Sequence, residues 1–388
     1  MSPTGVLSKE VSLLVECAVS GAPFSFEPSS TDFDWLTFED LSAHHLLTVP
    51  AYRVLSQFRR SVPIGTLQRI SSASESTQKQ NLVLTVRLLQ LLNSFTASDI
   101  PVLTLKGPAL GQLLYQDFCR RQSVDLDLLV HREDVQRAIE VLNNDGYVLQ
   151  SGLDWLRPTT LLERCNELTF LAPCGTFVDL HWEISQADRP FHIPLDRLWS
   201  STTNTEIAGR KVPVLSRECL LLFLCIHGAA HCWSRLQWLC DVAKLLESAE
   251  LFDWNKIFDL TAEARASHVL ALGLSLAHDV LNAHLPQKVV QRIHNDRVAS
   301  HLALQVISRL NSKRTTTPTG VELTIFNARL AETHWAGIRH IAALMKAPTE
   351  ADAEIIRLPE SVLFLYYPLR AARLAARFGR SLLPGQAA

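Results

Sequence analysis

Apolar residues recur every three or four positions through the first hundred residues, from Asp34 to about Phe58 and again from about Thr66 to Phe95. This spacing places them along one face of a helix, and "LVLTVRLLQLLNSF" is the clearest amphipathic segment. The pattern therefore predicts a helical N-terminal region, to which we assign residues 1–98.

The hydrophobic period changes after Ser98. Several short segments have the length and β-branched content of strands: "IPVLTL", "VDLDLLV", "YVLQ", "NELTFLA" and "TFVDLHWEI". The segments "GPALGQLLY" and "REDVQRAIEVLNNDG" lie between the first of these and have helical spacing. Residues 99–215 are therefore predicted to form a small mixed β-sheet with helices, and residues 216–388 a C-terminal helical domain. The predicted fold class is α+β.

Composition narrows the class of protein only slightly. The chain has 37 Lys and Arg residues against 39 Asp and Glu residues, so its net charge is close to zero. This composition gives no overall positive potential that would attract nucleic acid or a membrane surface. The longest apolar run, "CLLLFLCI", is far shorter than the roughly 20 residues of a transmembrane helix. The eight cysteines form no CxxC pair, and the N-terminus has no signal-peptide pattern. We expect a cytoplasmic protein without a transmembrane segment.

Two acidic residues interrupt the predicted strand "VDLDLLV". Residues two apart in a strand point to the same face, so Asp125 and Asp127 project together, and the intervening leucines project toward packing helices. Two close carboxylates repel each other and resist burial. A cation is therefore expected to share their face.

The strand "FVDLHWEI" adds a second acidic face, on which Asp179, His181 and Glu183 lie together. If this strand lies beside the first, Asp179 brings a third carboxylate to Asp125 and Asp127. Such an oxygen-rich cluster suits Mg²⁺ or Mn²⁺, and it can hold two ions about 3.5–4 Å apart. A D-x-D pair alone is more often a solvated strand face, so the metal-site hypothesis depends on Asp179.

The turn "LKGPALG" precedes the acidic strand. Lys106 follows a predicted strand, Gly107 permits an unusual backbone angle, and Pro108 suits the first turn of a helix. Backbone N–H groups at a helix start, together with one lysine, are suited to an anion such as a triphosphate.

The stretch "LTLKGPALGQLLYQDFCRRQSVDLDLLVHREDVQRAIEVLNNDGY" resembles the core of the uncharacterised nucleotidyltransferase family of the DNA polymerase β superfamily. The later "VDLHWEI" resembles the family's second acidic strand, and "CIHGAAHCWSRLQWLCDVAKLL" resembles a helical segment of the family. The matching positions are Lys106, Gly107, Arg121, Asp125, Asp127, Gly146, Tyr147, Asp179, His227, His231, Trp233, Leu236 and Asp241.

This resemblance implies transfer of a nucleoside monophosphate from a nucleoside triphosphate to an acceptor hydroxyl, with release of pyrophosphate and with Mg²⁺ or Mn²⁺ as cofactor. The implied catalytic and metal-binding residues are Asp125, Asp127 and Asp179, and the implied nucleotide-binding residues are Lys106, Gly107 and Arg121. The resemblance also implies that His181, His231 and Arg235 contact the substrate or support the residues that do. The acceptor could be a small molecule, a sugar, a peptide or RNA.

One departure from the superfamily keeps alternatives open. The usual Gly-Ser or Gly-Gly turn is replaced by Lys106-Gly107-Pro108, in which proline removes one N–H donor. An inactive binding or regulatory protein of the same fold is one alternative, and a toxin-type nucleotidyltransferase acting on tRNA is another. His227 and His231 have the i,i+4 spacing of a zinc pair, but without an HExxH motif packing is the favoured interpretation.

Overall fold

The computed structural model describes residues 7–19, 33–150, 162, 165–185, 189–312, 315–343, 356, 358, 360–370 and 372–373. Its N-terminal part is helical, as predicted. The helices are α1 (Lys9–Ala18), α2 (Trp35–His44), α3 (Thr48–Leu55) and α4 (Ile64–Ala97). The periodic stretch from Asp34 to Phe58 forms two main helices rather than one, because Leu46 adopts a left-handed conformation with φ of 61° between them.

The central region alternates strands and helices before its hairpins. Its elements are β1 (Val102–Thr104), α5 (Gly107–Tyr115), β2 (Asp125–Val130), α6 (Val135–Asn144), β3 (Val148–Leu149), β4 (Glu167–Leu171), β5 (Phe177–His181), α7 (Leu195–Trp199), β6 (Thr202–Ile207) and β7 (Arg210–Leu215). Pro108 lies in the first turn of α5, and Gly146 follows α6 with φ of 81°. Both agree with the sequence prediction.

Among the described residues, seven strands form one mixed sheet in the order β3-β4-β5-β2-β1-β7-β6. β2 is antiparallel to β1 and parallel to β5. The two predicted strands β4 and β5 form a hairpin, and β6 and β7 form a second one that joins the same sheet through a parallel pairing of β7 with β1. The fold is therefore α+β, with a small mixed sheet flanked by helical segments.

The C-terminal part returns to helices. They are α8 (Arg217–Ala230), α9 (Leu236–Leu246), α10 (Trp254–Glu263), α11 (Ser267–Leu281), α12 (Gln287–His294), α13 (Arg297–Leu310), α14 (Gly320–Arg329) and α15 (His334–Ala343). No helix within the described residues is both long and apolar enough to span a membrane.

Two hydrophobic cores lie on opposite faces of the sheet. Leu126, Leu128 and Val130 are fully buried in a core with residues of α4 and α6. Leu129 points to the other face and packs in a larger core, which joins the N-terminal helices to the C-terminal ones. The period-2 alternation of β2 therefore turns its two aspartates toward the C-terminal helices.

Candidate active site

Asp127 and Asp179 are direct neighbours across the parallel pair β2 and β5, in which Asp125 pairs with Phe177 and Asp127 with Asp179. This is the strand arrangement that the sequence hypothesis required. Because neighbouring positions in paired strands point to the same side, the three aspartates share one face. Asp127 is only 2% exposed, so its charge needs a partner.

Lys106 provides that charge. Its Nζ lies 2.9 Å from Oδ1 of Asp127, and the lysine caps the start of α5 immediately after β1. Gly107 follows with φ of 69°, and a Cβ there would come within 3.3 Å of the Asp125 carbonyl oxygen. The glycine therefore allows α5 to begin directly against the acidic strand.

His181 gives Asp127 a second cationic contact. Its Nε2 lies 3.2 Å from Oδ1 of Asp127, and its Nδ1 lies 3.0 Å from Oε2 of Glu167. Glu167 is the β4 residue directly opposite His181 in the hairpin register. An imidazole bridging two carboxylates thus links three adjacent strands of the sheet.

The carboxylates have different proton affinities. Burial and the neighbouring Asp127 raise the pKa of Asp125 to about 7. Burial acts on Asp127 in the same direction, but Lys106 and His181 hold its pKa well below the usual range. Burial also raises the pKa of Asp179, against the opposing hydrogen bond of 2.6 Å from the Thr169 hydroxyl to its Oδ1. Asp127 is therefore the most firmly ionised of the three.

The cations of the cluster are stabilised by the same contacts. Burial disfavours charge on both, yet the hydrogen bonds and charges of Asp127 and Glu167 raise the pKa of His181 to about 10. Asp127 and Asp125 likewise raise the pKa of Lys106 against the effect of its burial. Both groups are consequently protonated at neutral pH, which offsets the repulsion among the aspartates.

The cluster could bind a metal ion. Asp127, Asp179 and His181 each place one potential ligand atom within 4.8 Å of the others, the single such group of three among the described residues. His181 can serve as a ligand only as the neutral imidazole, because its protonated form has no free lone pair. Oδ2 of Asp127 is buried and has no hydrogen-bond partner in the described structure. Asp125 lies on the same face but outside this group.

Arg121 lies at the base of the site in a buried ion pair. Its Nε contacts both carboxylate oxygens of Asp241 on α9, at 3.1 and 2.9 Å, and the Tyr115 hydroxyl donates to Oδ1 of Asp241. The neighbouring loop is fixed by Asn81 of α4, whose Nδ2 donates to the Arg121 carbonyl and whose Oδ1 accepts from the Ser123 N–H. Arg121 therefore joins the acidic strand to the C-terminal helices.

A cavity of about 350 Å³ opens over the acidic face, between the sheet and helices α8 and α9. Of the predicted site residues, those lining it are Lys106, Arg121, Asp125, Asp127, Asp179, His181 and His231. Gly107 is buried and is not among the lining residues. Arg235 is not among the lining residues, because its guanidinium donates to the His44 carbonyl oxygen. Glu183 follows the end of β5 and is likewise absent from the lining.

His227 and His231 face the same cavity without forming a three-ligand metal group with other described residues. Their ring centroids lie 4.8 Å apart, and Trp238 of α9 lies 5.1 Å from the first and 5.3 Å from the second. Burial and nearby cations lower the pKa of both imidazoles, that of His231 to about 4. They are neutral rings at physiological pH.

Glu167, Thr169 and Trp238 were absent from the sequence-derived site. A signal for the first two was present, because counting outward from the turn at "PCG" pairs Glu167 with His181 and Thr169 with Asp179. Trp238 carried no such signal, since only tertiary packing brings α9 over the sheet.

Comparison with known proteins identifies the family of the chain. The profile of the family described as "Uncharacterised nucleotidyltransferase" matches residues 31–282, and the chain belongs to this family. Among solved structures, an antigenic nucleotidyltransferase-like protein from Paracoccidioides brasiliensis is similar at 17% identity, with a TM-score of 0.31, over 55% of this chain and 96% of that one. No curated protein is significantly similar to the chain.

Proposed function

We propose that the protein is a metal-dependent nucleotidyltransferase that moves a nucleoside monophosphate from a nucleoside triphosphate to an acceptor hydroxyl. The observation that carries this proposal is the side-by-side placement of Asp127 and Asp179, with an unpartnered Asp127 oxygen, beside Lys106 in a cavity. Family membership supports nucleotidyl transfer in general.

In the proposed reaction the acceptor oxygen attacks the α-phosphorus, and the bond from that phosphorus to the α,β-bridging oxygen breaks. Pyrophosphate leaves with the electron pair of the broken bond. Mg²⁺ or Mn²⁺ held by Asp125, Asp127 and Asp179 would neutralise phosphate charge and make the acceptor hydroxyl more acidic. The oxygen-rich ligand set favours these ions.

The other residues of the site have separate roles in this proposal. Lys106 at the start of α5 binds phosphate oxygens together with the free N–H groups of the helix. Asp179 accepts the acceptor's proton at Oδ2, because Thr169 occupies Oδ1. His181 and Glu167 hold Asp127 in place, and Arg121 keeps α9 against the acidic strand. Catalysis is thus mainly positioning and electrostatic stabilisation.

The test combines binding with a product search. Titration calorimetry with ATP, GTP, CTP and UTP in the presence of Mg²⁺ or Mn²⁺ should show binding of at least one nucleotide. Cell extract incubated with α-labelled nucleotides should then yield a labelled product, and Asp127→Asn should reduce its formation at least about 100-fold.

Asp145→Asn is the matched control, because Asp145 is exposed at the end of α6, and we expect it to behave as the wild type. Absence of binding for all four nucleotides would refute the enzyme assignment. Binding without any labelled product would instead favour a regulatory protein that keeps the fold. Labelled tRNA, with growth arrest relieved by Asp127→Asn, would identify a tRNA-modifying toxin.

A further inference from the structure

The cavity has two chemically different walls. The sheet wall carries Lys106 and the carboxylates, and the wall opposite is formed by the rings of Phe223, His227, His231 and Trp238 from α8 and α9. We call these four residues the ring wall. Their centroids form a continuous series, with Phe223 6.2 Å from His227 and Trp238 within 5.3 Å of both histidines.

The ring wall is fixed by the turn between α8 and α9. Cys232 and Trp233 both have positive φ there, 53° and 50°, which reverses the chain directly after His231. Trp233 is fully buried beneath α8, where a Cβ on Gly228 would come within 2.5 Å of its ring. The absence of a side chain at Gly228 therefore lets the turn pack tightly and brings Trp238 beside the two imidazoles.

The ring wall remains accessible. His231 keeps solvent-accessible surface inside the cavity although protein atoms surround most of its ring, His227 and Trp238 are partly exposed, and Phe223 is buried behind them. Burial, the cationic Lys106 and the neighbouring His231 hold the pKa of His227 well below its usual range. Three uncharged planar rings thus face the cavity across from its charged sheet wall, and such a surface is suited to stacking against a flat, conjugated ligand.

We infer that the ring wall binds the nucleobase of the nucleoside triphosphate. The inference rests on the proposed function, since the triphosphate must lie along Lys106 and the aspartates. A nucleotide has an anionic end and a planar end, and it can therefore satisfy both walls of one cavity at once. The volume of about 350 Å³ lies near the lower limit of small-molecule sites, which suits one such ligand.

The competing occupant is an aromatic acceptor stacked on the same rings. It would leave the base of the nucleotide on the acidic side, where the ring available is that of His181, which already contacts Asp127 and Glu167. Stacking on aromatic side chains tolerates different bases. The ring wall consequently strengthens binding of every nucleotide, with no strong selection among the four.

The experiment compares two kinds of probe, of which only one carries a nucleoside. Inorganic triphosphate tests the sheet wall alone, and α,β-methylene analogues of ATP, GTP, CTP and UTP, which cannot undergo transfer, test both walls. Calorimetric dissociation constants are measured with Mg²⁺ for the wild type, Trp238→Leu and His231→Ala. Trp335→Leu serves as the control, because Trp335 is 70% exposed and lies outside the cavity.

We expect Trp238→Leu and His231→Ala to weaken the nucleotide analogues on the order of 10-fold or more, with the affinity for inorganic triphosphate changed less than about twofold. His231→Ala keeps the test valid if Trp238→Leu disturbs folding, since its side chain is exposed. Unchanged nucleotide affinity in both variants, or equal weakening of both probes, would overturn the inference while leaving the proposed function intact. Failure of the wild type to bind either probe would refute the proposed function itself.

Discussion

The buried ion pair between Arg121 and Asp241 allows a quantitative test of how the sheet is attached to the C-terminal helices. The Arg121 side chain is 5% exposed and that of Asp241 is fully buried, with Nε and Oδ2 2.9 Å apart. Asp241→Asn preserves the volume of the side chain and an oxygen for the Tyr115 hydroxyl, but it leaves a guanidinium buried without a counter-charge. Breaking such a pair from one side costs about 3–5 kcal/mol.

The assay is equilibrium urea unfolding followed by fluorescence, with the free energy of unfolding obtained by linear extrapolation. Glu263→Gln is the control, because it breaks the pair with Arg197 in which both side chains are largely exposed, at 57% and 39%, and should have no measurable effect. The double variant Arg121→Met/Asp241→Leu should recover most of the lost stability, since an apolar pair needs no desolvation of charge. A loss below about 1 kcal/mol for Asp241→Asn would refute this account of the pair.

Two further substitutions test packing and charge away from the acidic cluster. Gly228→Ala should lower the free energy of unfolding by about 1–3 kcal/mol, because the added methyl group overpacks against Trp233. The control Gly320→Ala, with open space around its Cβ position, should have no such effect. Equal effects of the two substitutions in urea unfolding would contradict tight packing between Gly228 and Trp233. The hydrogen bond that His268 donates to Asp296, the charge of Asp296 and the charge of Glu332 raise the pKa of His268 despite partial burial. The pair therefore stabilises the fold below the ordinary imidazole pKa of about 6.5 and loses this contribution as pH rises through the raised value. The stability difference between wild type and His268→Gln should therefore shrink in thermal melts above that pH, and a difference constant to alkaline pH would exclude the ion pair.

The sequence was sufficient to predict which residues share a face on each of the two acidic strands. Period-2 alternation in "VDLDLLV" and "FVDLHWEI" separates the aspartates from Leu126 and Val178, and the structure buries these apolar residues on the opposite face. The sequence alone did not establish that β2 pairs with β5, and this pairing was an assumption. It follows from tertiary topology, because β5 also forms the hairpin with β4 and presents its other edge to β2.

The ring wall and the Arg121–Asp241 pair were harder to predict. Residue spacing on α9 does not reveal which element the helix packs against, so neither Trp238 nor Asp241 could be placed over the cavity by its own periodicity. Likewise, Arg235 belongs to a plausible motif but donates to His44, since an arginine at the start of α9 reaches the nearby carbonyl at the end of α2.

The strand order has a consequence for how the molecule is made. β1, an interior strand of the sheet, pairs on one side with β2 and on the other with β7, which ends at Leu215. A growing chain on the ribosome can form the β1–β2 pair early, but it cannot cover the second edge of β1 until β7 has emerged. Pairings between such distant segments form slowly, and open strand edges favour aggregation. Completion of the sheet therefore waits for synthesis past Leu215, with the second edge of β1 exposed to unwanted partners in the interval.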